Sequence, residues 1–188
     1  KSGNTWIRAI IASLFFSKNG CFDFALLSKI INFELPSSYK FVKSISDKDY
    51  KNLNKLDIVS KYRIESQKRA TIIQGDFAFF KTHSSNLKVN NFDYTNNSSC
   101  LGFIYIVRDP RDIAISYSKF LGKNIDEIID MMIDKGTIAY NELIPYLQTS
   151  WDLHYITWRH INVPKLIIRY EDLLYNTEFF IRKIAEFF

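Results

Sequence analysis

The chain has 188 residues, of which 47% are hydrophobic and 16% aromatic. That length holds one domain with a sizeable core and falls short of two, and that much apolar material excludes an intrinsically disordered chain. The formal net charge of +5 suits an anionic ligand or simple solubility equally, but no basic stretch is interleaved with aromatic residues, so no nucleic-acid partner is expected.

The opening, Lys-Ser-Gly-Asn-Thr-Trp, runs into residues 5–17, where Trp6, Ile7, Ile10, Ile11, Leu14 and Phe15 recur at helical period. Asn19-Gly20 stops this helix. Asp23 is a candidate cap for a second helix over DFALLSKII. Residues 32–46 read as loop, punctuated by Pro36-Ser37-Ser38, and residues 47–69 as a charged, mostly helical, solvated segment. The period then changes. Phe77 to His83 reads as a short buried strand, and Phe103 to Val107 as a stronger one ending at Arg108-Asp109-Pro110. Pro110 suits the first turn of a helix that continues to Gly122. Helices are predicted over 125–135 and 138–160, a third strand over Leu166 to Arg169, and a last helix over 176–188. Strands separated by helices predict an α/β fold, three-layered, with a central parallel sheet flanked by helices.

Cys21 and Cys100 have no metal-binding spacing, and His83, His154 and His160 lack a Cys-x-x-Cys partner, so no structural zinc is expected. Two lone cysteines suit a reducing compartment, which predicts a cytoplasmic protein. No apolar run reaches membrane-spanning length.

Four short stretches could carry chemistry. Gly3 beside small hydroxyl residues, just before a helix, can form a phosphate cradle, with Lys1 adding a point charge. On these six residues alone, an ordinary helix capped by Asn4 or Thr5 explains the stretch better. Walker A is not met, since no upstream Gly is visible and the Lys precedes Gly3. Arg108-Asp109-Pro110-Arg111-Asp112 with Ser116 sits where a strand hands over to a helix, the edge where ligands bind in open α/β sheets. Arg108 can clamp a phosphate there. A surface cluster pairing Arg111 with Asp109 or Asp112 fits as well. Lys81-Thr82-His83 closes another strand, and a His there can act as a general base, although most single histidines are structural. In Tyr170-Glu171-Asp172 the favoured reading is a capping Asp172 and a core Tyr170.

The order of these stretches carries a resemblance. The chain resembles the sulfotransferases that use 3′-phosphoadenosine 5′-phosphosulfate (PAPS). That family's phosphosulfate loop reads Pro-Lys-Ser-Gly-Thr/Asn-Thr-Trp, matched here from Lys1 onward; its Lys-Thr-His is matched at 81–83, its Arg-x-Pro-x-Asp…Ser by RDPRDIAIS, and its Tyr-Glu-Asp by RYEDL. SWDLHYITW looks like the family's Trp-containing helix. The likeness spans almost the whole chain. It implies one sulfotransferase domain, residues 1–188, of P-loop-like fold and truncated at both ends: the family's first strand and its C-terminal basic segment are not matched.

The resemblance also implies roles. Lys1 would bind the 5′-phosphosulfate and stabilise charge on the leaving oxygen. Backbone N–H groups of Gly3, Asn4, Thr5 and Trp6, with the Ser2 and Thr5 hydroxyls, would cradle the 5′-phosphate. Trp6 and Tyr170 would contact the adenine, and Arg108 and Ser116 would hold the 3′-phosphate. His83 would take the proton from an acceptor hydroxyl or amine, with Lys81 near the transferring sulfuryl group. No metal is expected, because a Lys and helix N–H groups can stabilise the departing phosphate. The acceptor would be a small molecule or carbohydrate. Many cytosolic members continue Lys-Thr-His-Leu-Pro where this chain has KTHSSN; the pattern is closer to bacterial members of unassigned acceptor. The competing classes are a P-loop kinase or other nucleoside triphosphate user, and a non-catalytic module that binds adenosine 3′,5′-bisphosphate.

Overall fold

A computed structural model describes residues 3–74, 77–141 and 144–188. In chain order the elements are α1 (Asn4–Phe16), a 3₁₀ turn (Phe24–Lys29), β1 (Ile31–Asn32), a second 3₁₀ turn (Pro36–Tyr39), α2 (Asp47–Tyr50), α3 (Leu56–Gln74) and β2 (Phe80–Lys81). Then come β3 (Phe103–Val107), α4 (Pro110–Leu121), α5 (Ile125–Ile133), β4 (Thr137–Asn141), β5 (Ile144–Gln148), α6 (Trp151–Arg159), β6 (Lys165–Arg169), α7 (Tyr170–Tyr175) and α8 (Thr177–Phe187). The fold is mixed α/β, with parallel strands flanked by helices. Among the described residues the parallel pairing is carried by β1–β2 and by β3–β6.

The chain divides into two compact units. The first comprises Lys1–Ile30, Gly102–Met132 and Pro164–Phe188. Its strands β3 and β6 pair in parallel from Phe103↔Lys165 to Val107↔Arg169. Five consecutive apolar residues make β3, and the chain turns directly into α4 because Asp109 accepts the Arg111 N–H and Pro110 takes the first helical position. Gly122, at φ 66, closes that helix in the left-handed conformation. Helix α1 buries Ile7, Ile10 and Ile11 along one face, each contributing roughly 1.5–3 kcal/mol of hydrophobic stabilisation.

The second unit comprises Ile31–Leu101 and Ile133–Val163. Strands β1 and β2 pair in parallel over two positions, Ile31↔Phe80 and Asn32↔Lys81. An aromatic cluster forms its core: Phe33 stacks on Tyr39 and meets Phe80 and Tyr94 edge-on, and Tyr94 meets Trp158 edge-on.

Four expectations change. Residues 138–160 are not one helix. β4 and β5 form an antiparallel hairpin with Tyr140 opposite Pro145, and only α6 is helical. Pro145 has no N–H to give a helix, whereas one face of a two-stranded ribbon tolerates that loss. The segment around Asp23 is 3₁₀ rather than α, although Asp23 does cap it, accepting the Ala25 N–H at 2.8 Å. The strand read over Phe77 to His83 shortens to Phe80–Lys81. Helix α3 is not merely solvated: Ser60, Arg63, Ser66 and Gln67 recur at helical spacing and are all buried. Its inward stripe is written in polar residues, which a search for hydrophobic period does not see.

Candidate functional site

In the first unit, the register of β3 and β6 ends at Val107↔Arg169, so Arg108 and Tyr170 leave the carboxyl edge level with each other. The Arg108 guanidinium lies over the Tyr170 ring, 4.4 Å from its centroid, in cation–π geometry. Trp6 meets that ring edge-on at 6.1 Å. Gly3 faces it with no room for a side chain. A methyl group placed on Gly3 would stand 2.7 Å from Tyr170 Cδ2, and the Gly3 backbone sits at φ 90, so both space and conformation require glycine there. Gly3 is also the N-cap of α1, and it has no side chain with which to cap the helix. Asn4 and Thr5, the candidate caps, instead open its first turn.

Charges order the rest of this edge. Asp112 approaches Arg108 at 3.9 Å, and Ser116, four residues on, continues the same helical face. Glu171 Oε1 accepts the Asp109 backbone N–H at 2.9 Å, and that bond leads the effects that hold the Glu171 carboxyl below its usual range. Arg111 pairs with Asp109 at 2.6 Å and holds its carboxyl down to about 2. Asp172 is no cap; it lies inside α7 and pairs with Arg169 at 3.7 Å. A cation, two aromatic rings and an uncapped helix start on one unit suit an anion attached to a flat ring.

In the second unit, β1 and β2 end in register at Asn32↔Lys81. Two residues further along each chain stand Glu34 and His83. Glu34 is 2% exposed. Its Oε1 accepts the His83 backbone N–H at 2.8 Å and the Thr82 hydroxyl, and its Oε2 lies 3.5 Å from Lys81 Nζ. The Thr82 oxygen also accepts the Ser84 N–H at 2.9 Å and contacts the Tyr94 hydroxyl. The Thr82 proton is committed to Glu34, so Tyr94 is the donor to Thr82. Burial raises the Tyr94 phenol well above its usual value, which keeps that proton in place. Arg63 lies over the Tyr94 ring at 4.8 Å and donates through Nη2 to the Pro145 carbonyl at 3.1 Å.

The other side of His83 is held by α6. His154 Nε2 lies 3.2 Å from the His83 carbonyl oxygen. A carbonyl only accepts, so His154 carries a proton on Nε2. Desolvation lowers the His154 pKa, which favours the neutral ring. Trp158 Nε1 donates to the Ser84 carbonyl at 2.9 Å. The His83 imidazole itself is exposed, with the Tyr146 ring 6.0 Å away.

The structure thus brings Gly3, Trp6, Arg108 and Tyr170 together in one unit, and Lys81 with His83 in the other. Lys1 and Ser2 lie outside the described residues. Sequence reasoning missed Glu34, Tyr94, His154 and Glu171. The available signal was a lone Glu between Phe33 and Leu35, because a carboxylate among apolar neighbours is buried only when partnered. Among the described residues no three His, Cys, Asp or Glu side chains are grouped to hold a metal ion. No helix among them is long and apolar enough to cross a membrane.

A family model for the sulfotransferase domain matches residues 1–188. Among curated proteins none matches the chain.

Proposed function

The chain belongs to the sulfotransferase domain family, a family of sulfuryl-transferring enzymes, and on that premise we propose that its donor is PAPS and its acceptor a hydroxyl or amine of a small molecule or carbohydrate. The observation that carries this reading is the Gly3–Trp6–Tyr170–Arg108 cluster. It offers aromatic faces for a base, a planar cation for a phosphate and a helix start for a second phosphate. Residues 1–188 are read as one domain to which both units contribute.

In this reading Trp6 and Tyr170 hold the adenine, and Arg108 and Ser116 hold the 3′-phosphate. Ser2, Thr5 and the N–H groups of Gly3 to Trp6 cradle the 5′-phosphate. His83 accepts the acceptor's proton as the acceptor oxygen or nitrogen bonds to sulfur. The bond from sulfur to the 5′-phosphate oxygen breaks in line, and Lys1 stabilises the charge left on that oxygen. Lys81 supplies a second cation, anchored by Glu34. The products are the sulfated acceptor and adenosine 3′,5′-bisphosphate. No residue role calls for a metal, so turnover is expected to survive a chelator; activity lost on chelation and restored by Mg²⁺ would sink that part.

A thermal-shift titration with adenosine 3′,5′-bisphosphate, and separately with ATP and Mg²⁺, tests the donor assignment. At a hundred times its dissociation constant a ligand adds about 2.7 kcal/mol of stability. Stabilisation by the bisphosphate without metal supports the reading. Stabilisation by Mg-ATP alone would turn it toward a nucleoside-triphosphate enzyme. If the bisphosphate binds but His83→Ala changes no rate because there is none to change, the protein is a binding module.

A further inference from the structure

Every residue of the Lys81-Thr82-His83 motif is fastened to one carboxylate, that of Glu34. We propose that Glu34 is the positioning residue of this motif, acting through Thr82 and the His83 backbone to aim an exposed imidazole at the acceptor. The inference rests on the reading of His83 as the base.

The ladder between β1 and β2 spans two residue pairs, and its last backbone bond, from the Phe33 N–H to the Lys81 carbonyl at 3.0 Å, stops short of Glu34 and His83. Glu34 continues it with side-chain bonds, level with His83. The division of labour between its oxygens is specific. Oε1 takes the His83 N–H and the Thr82 hydroxyl, and so sets backbone geometry; Oε2 faces the Lys81 ammonium, and so sets charge. Behind Thr82 stands Tyr94, whose hydroxyl is the next donor in the chain, and Gln67 of α3 fixes Tyr94 by donating to its carbonyl at 2.8 Å. On the far side His154 takes the His83 carbonyl. Both peptide groups of His83 are therefore held, and the residue is exposed. That is the arrangement a reacting imidazole needs, because about 1 Å of misplacement can cost 10²-fold in rate.

The test compares Glu34→Ala and Glu34→Gln in the full protein by two readouts: amide hydrogen exchange at His83, and the split between kcat and the donor KM. In Glu34→Ala the His83 amide is expected to lose protection and kcat to fall about 10²-fold, with the donor KM within about threefold of wild type. Glu34→Gln keeps an oxygen for His83 and Thr82 but turns an amide N–H₂ toward Lys81. It is expected to retain the amide protection and lose less rate than the alanine variant. If the alanine variant does not fold, Glu34→Asp, which withdraws the same oxygens by one methylene, takes its place. A folded Glu34→Ala or Glu34→Asp protein with kcat within about threefold of wild type overturns the proposal, as does equal His83 exchange in wild type and variant. A wild type that protects the His83 amide through Glu34 yet transfers no sulfuryl group overturns the reading of the activity instead, and leaves the clamp standing.

Discussion

In the first unit five ladder pairs carry two parallel strands to the point where Arg108 and Tyr170 emerge side by side. In the second unit the parallel ladder has only two pairs, and Glu34 reaches its place beside His83 with side-chain hydrogen bonds completing the work. The first edge is positioned by repetitive backbone bonding between apolar strands, with a half-buried carboxylate, Glu171, tying down one N–H. The second is positioned by a buried network running Tyr94, Thr82, Glu34, Lys81. A long ladder spreads its tolerance over many bonds, so one side chain counts for little. A short ladder concentrates its geometry in a few polar atoms, each costly to remove.

That contrast can be broken at several places. The largest effect is expected from His83→Ala, which should lower kcat by about 10²–10⁴-fold while leaving the affinity for adenosine 3′,5′-bisphosphate unchanged; single-turnover rates and a binding isotherm measure the two separately. Next is Arg108→Lys, which keeps the charge but loses the planar fork and the stacked face on Tyr170. It should weaken bisphosphate binding by about 1.5–3 kcal/mol in calorimetry, without moving the thermal midpoint of the unliganded protein much. Gly3→Ala forces a methyl group against the Tyr170 ring and a residue with a side chain into φ 90. It should cost about 1–3 kcal/mol, read from denaturant melts, together with nucleotide affinity. The smallest effect is assigned to Glu171→Gln, about 1 kcal/mol at neutral pH. The Glu171 carboxyl is depressed in the fold by the Asp109 N–H. Its contribution is therefore complete above the unfolded value of about 4.3 and is lost as pH falls through the lower folded value. The wild type should show this acid limb in a stability–pH profile, and the Gln variant should show less of it. Should Glu171→Gln cost more than Glu34→Gln, the contrast between the two edges is wrong.

The same contrast explains what could be read from the sequence. β3, α4 and β6 were legible because each rests on local rules: an unbroken apolar run, Asp109-Pro110 at a helix start, Gly122 at its end. The residues around Tyr170 were legible through motif order alone; that the Tyr170 ring leaves no room for a side chain at Gly3 is a tertiary fact with no local signature. The hairpin of β4 and β5 was missed because its apolar residues also fit a helical period, and Pro145 was the evidence that should have decided it. The partners of Glu34 were invisible for a deeper reason. They lie 47 to 49 residues away, and nothing in the composition of INFELP announces which backbone N–H the Glu34 carboxylate will meet. Buried polar stripes such as that of α3 escape for the same reason: hydropathy reports what avoids water, not what has found a partner.

The clamp on Oε1 bears on how this motif could be moved between proteins. A designer grafting Lys-Thr-His onto another scaffold would copy three consecutive residues and lose the fourth, which lies just past the end of a neighbouring strand. The transferable unit is a pair of parallel strands with an acid two residues past the end of one and the tripeptide straddling the end of the other. Insertions between Asn32 and Glu34 would then be poorly tolerated, because they would carry the acid out of reach of the tripeptide.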